Sequence, residues 1–226
     1  ADMTDRFAGG LLAAGVKPGD AVSVLTRNSL VSALAMFGIW RAGCLFAPIN
    51  FNFKGPQLSY QLADTKPAAL VTDPAFLEIL TEAADACPPR LVIHTPKSGD
   101  HDHTGATFPP AFNNVALLDF AALCAHRDKA PPVSPGPFDL ANIVYTSGTT
   151  GRPKGVPRRH GAERAAAIAH VAQNTYRQGE ITLGVMPLYH TMGVRSLLAM
   201  SLIGGTFVCL RRFDTDLALE LIEVET

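Results

Sequence analysis

LANIVYTSGTTGRPKGV, residues 140–156, passes from an apolar, partly β-branched run into a stretch of glycines, hydroxyls and cations. The first seven residues read as a buried strand. Beyond them Gly148, Gly151 and Gly155 permit close backbone approach that a side chain would forbid, so several N–H groups can turn toward one ligand. Thr146, Ser147, Thr149 and Thr150 add hydroxyls, and Arg152, Lys154, Arg158 and Arg159 place four cations within eight residues. The residues after the loop read as a helix, whose unpaired N-terminal N–H groups would add to the same positive site. This set of donors favours a polyphosphate. A flexible linker is the bland alternative for such a composition. It is disfavoured here because Pro153 stiffens the stretch and a strand leads into it, at the end of a sheet where α/β proteins bind ligands. A Walker A loop needs a Gly-Lys pair followed by Ser or Thr, whereas Lys154 stands between Pro153 and Gly155.

Working outward from this loop, strands and helices alternate. AVSVLT follows the Pro/Gly turn VKPGD and suits a strand buried on both faces. SLVSALAMFGIWRAG reads as a helix with Ser29 as N-cap and Gly43 as C-cap, and a helix before it ends at Gly15. CLFAPI, AALVTD and RLVIHT read as strands, with helices opened by Pro56 and by Pro74 between them. After the loop come a helix over AERAAAIAHVAQNTY, a strand-like ITLGVMPL, a helical VRSLLAMSLIGG, a strand-like TFVCL and a helix over TDLALELIEVE. The predicted fold is α/β, a mostly parallel sheet flanked by helices. Between Pro96 and Pro137 the pattern lapses into Pro, Gly, His and Asp, with one short helical stretch, LLDFAALCAH, and reads as a surface excursion.

Composition narrows the classes. At 226 residues and 47% hydrophobic the chain can bury one sizeable core, or a core and a smaller lobe. A net charge of -1 gives no general attraction to nucleic acid, and Arg158-Arg159-His160 lacks the aromatic interleaving of such a surface. Cys44, Cys87, Cys124 and Cys209 show no CxxC spacing and read as reduced thiols. No run is long enough to span a membrane and no signal peptide opens the chain, so a soluble, cytoplasmic protein is expected. Asp100, His101, Asp102 and His103 carry metal-ligating groups, but no second cluster stands at ligand spacing. A solvated loop is the expectation there, with no protein-held metal.

YTSGTTGRPKGV resembles, position for position, the signature loop of the adenylate-forming (AMP-binding) enzymes: acyl- and aryl-CoA synthetases, firefly luciferase and peptide-synthetase adenylation domains. GVKPGDAVSVLTRNS, GIWRAGCLFAPIN and VMPLYHTMGV resemble the same family, so the likeness runs from Gly15 to the end. It implies a two-step ligase that joins a carboxylic acid to ATP as an acyl-adenylate and then transfers the acyl group to coenzyme A. By this resemblance Thr146, Ser147, Gly148, Thr149, Thr150, Gly151 and Lys154 embrace the β- and γ-phosphates, and Mg²⁺ bridges phosphate oxygens. His190 closes over the adenylation site, and with Lys154 it is the expected catalytic residue. Thr191, Met192, Gly193 and, more weakly, Ile168 line the acid pocket; core packing is an even alternative for Met192 and the favoured one for Ile168.

Within the family, PLYH and RRHGAERAAAIAH look most like 4-chlorobenzoate and related aryl-CoA ligases, which favours an aromatic acid. Benzoate-like, short-chain and medium-chain acids all stay open. The later family motifs for adenine, ribose and the catalytic lysine domain are not found before Thr226. Residues 1–226 are therefore expected to be part of the large N-terminal domain, inactive alone, with exposed apolar surface that favours homodimers or aggregation. A ligase that loads a carrier protein is one alternative, and a non-catalytic nucleotide-binding or interaction module is another.

Overall fold

The computed structural model describes residues 2–83, 89–95, 115–130, 135–146 and 152–225. In chain order the elements are α1 (Asp2–Ala13), β1 (Ala21–Leu25), α2 (Leu30–Arg41), β2 (Leu45–Pro48), α3 (Gly55–Thr65) and β3 (Ala69–Thr72). A 3-10 turn (Pro74–Phe76) leads into α4 (Leu77–Ala83), then β4 (Leu91–His94), β5 (Ala116–Asp119), α5 (Phe120–Cys124), β6 (Leu140–Thr146) and β7 (Lys154–Arg159). The chain continues through α6 (His160–Asn174), β8 (Ile181–Gly184), α7 (Thr191–Ile203), β9 (Thr206–Cys209) and α8 (Thr215–Glu225).

A seven-stranded sheet carries the order β5-β4-β3-β1-β2-β6-β7. Its pairs are parallel except the last, β6 with β7. Side-chain alternation sorts the strands into two cores. Val71 and Ile93 join Phe7, Met36, Ile39 and Phe120 on the α1, α2 and α5 side, while Leu70 and Val92 join Leu58, Leu62, Phe76 and Leu80 on the α3 and α4 side. Burial on both faces explains why β1 and β3 carry hardly a polar residue. Because β2 lies on one side of β1 and β3 on the other, the connection reverses direction between β1 and β3. In open α/β sheets that reversal leaves a crevice at the carboxyl ends of the strands.

The predicted class holds, with four local corrections. Lys154–Arg159 is not the lead-in to a helix but an antiparallel edge strand, with Arg159 opposite Leu140 and Lys154 opposite Thr146. The N-terminus of α6 therefore lies at the far end of the hairpin from Thr146 and adds no N–H groups to the loop, and Arg158 and Arg159 are carried away with it. The stretch expected as one helix around Leu117 divides into β5, which extends the sheet beyond β4, and α5, whose N-cap Asp119 accepts from Ala122 N at 2.8 Å. β8 and β9 form a parallel pair of their own, joined across α7. Finally, α2 ends one residue earlier than expected, at the cap Ala42, and Gly43 follows with φ +72. At its other end Ser29 forms the predicted cap as a reciprocal box with Ser32.

Candidate functional site

β1 and β2 are each followed by a side chain that reaches one short segment, Met186–His190. After β1 stands Asn28, only 4% exposed. Its Nδ2 donates to Met186 O at 3.2 Å and its Oδ1 accepts from Leu188 N at 2.8 Å. After β2 stands Phe51, whose ring meets Tyr189 edge-on at 5.1 Å and stacks on Phe76, after β3, at 6.2 Å. Arg27 sits 6.0 Å over the Phe76 ring. Burial raises the Tyr189 phenol pKa, and a hydrogen bond with Asn52 opposes it in part. The crevice where doubly wound sheets usually receive a ligand is thus roofed by the protein's own backbone.

That roof leads directly into α7. His190 N donates to Pro187 O at 2.9 Å, closing a turn, and His190 is the N-cap of α7, its Nδ1 accepting from Met192 N at 3.3 Å. An accepting Nδ1 carries no proton, so in the neutral ring the proton is on Nε2. His190 is exposed, Thr191 and Met192 are partly buried, and the Met192 sulfur lies 3.7 Å from Arg195 Nη1. Gly193, expected to line the acid pocket, is buried at the first turn of α7. A Cβ there would stand 2.2 Å from Pro187 O and 2.6 Å from Met186 O, so the glycine lets the first turn of α7 lie against the roof.

The second half of the site is the β6–β7 hairpin. Thr146 and Lys154 face each other as ladder partners, with Pro153 buried beside the exposed Arg152 and Lys154. Ser147, Gly148, Thr149, Thr150 and Gly151, the centre of the predicted phosphate loop, lie outside the described residues, as do Asp100–His103 and Cys87. Tyr145 anchors the hairpin to α3: its hydroxyl donates to Asp64 Oδ2 at 2.5 Å and lies 2.9 Å from Thr65 Oγ1. Burial, then the Asp64 carboxylate, raises its pKa. The pairing of Phe46 with Asn142 puts Thr146 level with Asn50, at the same end of the sheet as the roof. Asn28 and Thr146 belong to strands two spacings apart, about 10 Å.

Ile168 does not join this group. It lies on α6 with 50% of its surface exposed. What α6 contributes is a second polar cluster away from the hairpin mouth. The buried Glu163 carboxylate accepts from Arg158 Nε on β7 and from Asn142 Nδ2 on β6 at 3.1 Å. Trp40 Nε1 bonds Ala141 O at 2.9 Å, and His160 packs edge-on to the indole at 5.2 Å. Burial lowers the pKa of His160. Trp40, His160, Glu163, Leu198 and Leu202 line a cavity of about 280 Å³.

Sequence reading passed over Asn28, Phe51 and Glu163. For Asn28 a signal existed, since a polar residue directly after a doubly buried central strand sits where such sheets bind. Nothing local marks Glu163, whose partners lie on two different strands. Among the described residues no group of three or more His, Cys, Asp or Glu could hold a metal ion, and no helix is long and apolar enough to cross a membrane.

The architecture is that of a doubly wound α/β domain, with a cationic hairpin and a histidine-capped helix at the carboxyl end of its sheet. The chain belongs to the family of AMP-binding enzymes, whose model matches residues 1–226. It is 30% identical over 221 residues to a feruloyl-CoA synthase of Amycolatopsis sp, covering 97% of this chain and 40% of the relative. It is also 30% identical to an indoleacetate–CoA ligase of Aromatoleum aromaticum, covering 100% of this chain and 42% of the relative. The chain thus spans about 40% of the length of the curated relatives it matches. In fold it is similar to a long-chain-fatty-acid-CoA ligase from Archaeoglobus fulgidus, with a TM-score of 0.80 at 22% identity over 99% of this chain and 41% of that one.

Proposed function

We propose that residues 1–226 are part of the large N-terminal domain of an AMP-forming carboxylate–CoA ligase acting on an aromatic acid. The observation that carries this reading is the placing of Lys154, opposite Thr146, at the same end of the sheet as the His190-capped helix. In the proposed first step a carboxylate oxygen attacks the α-phosphorus of ATP, the bond to the bridging oxygen breaks, and pyrophosphate leaves with the electron pair. Lys154 and the hydroxyls beside it hold the β- and γ-phosphates, so charge developing on the leaving group meets a cation already in place. Mg²⁺, which takes few protein ligands and keeps substrate oxygens and water, would travel with the triphosphate. His190 bounds the acid side, its Nε2–H available as a donor because Met192 N occupies Nδ1. In the second step the thiol of coenzyme A displaces AMP from the acyl carbon, and its proton leaves with the solvent. The feruloyl- and indoleacetate-activating relatives support an aromatic acid.

The test is acid-dependent exchange of pyrophosphate into ATP by the full-length protein, with ferulate-like, indoleacetate-like and aliphatic acids compared. Lys154→Ala is expected to slow exchange by roughly 10- to 100-fold, the worth of one charge-assisted hydrogen bond to phosphate. Exchange that is indifferent to every acid overturns the reading.

A further inference from the structure

We propose that Asn28 is a positioning residue for His190: a side-chain amide that stands in for a strand partner and holds the acid-side roof in register with the sheet. The inference rests on the reading that His190 bounds the acid side of the site.

The amide contacts bracket Pro187, which has no N–H of its own, bonding the carbonyl before it and the amide after it, at 3.2 and 2.8 Å. Only a planar group with a donor and an acceptor side by side can serve both. An Asp carboxylate would face Met186 O with a second acceptor, and an aliphatic side chain would leave the buried Leu188 N–H and the part-buried Met186 C=O unpaired. Asn28 is itself held on both sides. Arg27 O accepts from Ser32 Oγ at 3.0 Å, and Ser29 is locked in the capping box of α2. The amide is therefore aimed by β1 and α2 together.

Beyond the clamp the path to His190 is short and stiff. Leu188 is buried in the core, Pro187 O closes the turn to His190 N, and Gly193 lies against the carbonyls of Met186 and Pro187. The imidazole is then fixed by its cap to Met192 N. None of these contacts involves Thr146 or Lys154, so loss of the clamp should disturb the acid side and spare the phosphate side.

The experiment uses full-length Asn28→Leu and Asn28→Asp. Both are expected to lose roughly 10- to 100-fold in kcat/KM for the acid in pyrophosphate exchange, as a misplacement of about 1 Å allows, with KM for ATP within about twofold of the parent. Asn28→Asp should regain much of the loss relative to the parent as the pH is lowered, because a protonated carboxyl again offers a donor beside an acceptor. Equal losses for acid and ATP, or no loss at all, overturn the proposal. Hydrogen exchange of the segment 186–190 against the segment 141–146 decides the clamp without activity. Faster exchange confined to 186–190 supports it, and unchanged protection refutes it. If the parent shows no acid-dependent exchange, the ligase reading falls while this second measurement still stands.

Discussion

Replacing Gly193 by alanine separates two roles for the first turn of α7. If Gly193 only lined an open acid pocket, a methyl group would narrow that pocket and leave the fold intact. The structure gives a different expectation, because the new Cβ would lie 2.2 Å from Pro187 O, 2.6 Å from Met186 O and 2.7 Å from Pro187 C. Ordinary carbon–oxygen contact needs about 1 Å more, and both obstacles are backbone, which cannot rotate aside. Overpacking of this kind costs about 1–3 kcal/mol. Moving the roof also stretches both Asn28 hydrogen bonds, each worth about 1 kcal/mol net. Alanine returns about 1 kcal/mol through its helix propensity, so the variant should be less stable by about 2–4 kcal/mol. Urea unfolding followed by the fluorescence of the single tryptophan, Trp40, measures this directly. A midpoint at or above that of the parent would refute the close packing of α7 on residues 186–187.

Glu163→Ala removes the acceptor shared by Arg158 and Asn142, and the buried Asn142 amide is left without it. Because Arg158 can turn toward water, the expected loss is about 1–3 kcal/mol, and a change below 0.5 kcal/mol in chemical denaturation would show that the network adds nothing. Tyr145 contributes to the alkaline limb of stability, alongside the raised thiols of Cys44, Cys124 and Cys209. Its phenol is held above its ordinary value of 10.0, so above that pH the unfolded chain releases a proton that the folded chain keeps, and stability should decline as the pH rises. Tyr145→Phe should lose about 1 kcal/mol at neutral pH and flatten that decline. A parent-like slope in the variant would assign the titration to another group.

The central strands were legible because they are buried on both faces, which turns their sequences into unbroken apolar runs such as AVSVL and ALVT. The edges were not. KGVPRR holds a proline, a glycine and three cations, the composition of a stretch that avoids further pairing, and it forms a strand only because β6 offers it a ladder. At the opposite edge Ala116–Asp119 has leucines with good helix propensity, and its neighbour β4 decides its state. In the site, the hairpin cations stand out by local chemistry, whereas the histidine segment stands out only through its resemblance to a family motif. Asn28 and Gly193 owe their roles to backbone some 158 and 6 residues away respectively, and only the folded chain brings those atoms together.

Pairing Thr146 with Lys154 has a mechanical consequence. Ladder partners hold their Cα atoms about 4.5–5.5 Å apart, which ties the two ends of residues 147–153 like a bracelet on a fixed clasp. α6 joins β7 at the opposite end, beside Arg159, so the strand pairing alone makes this clasp.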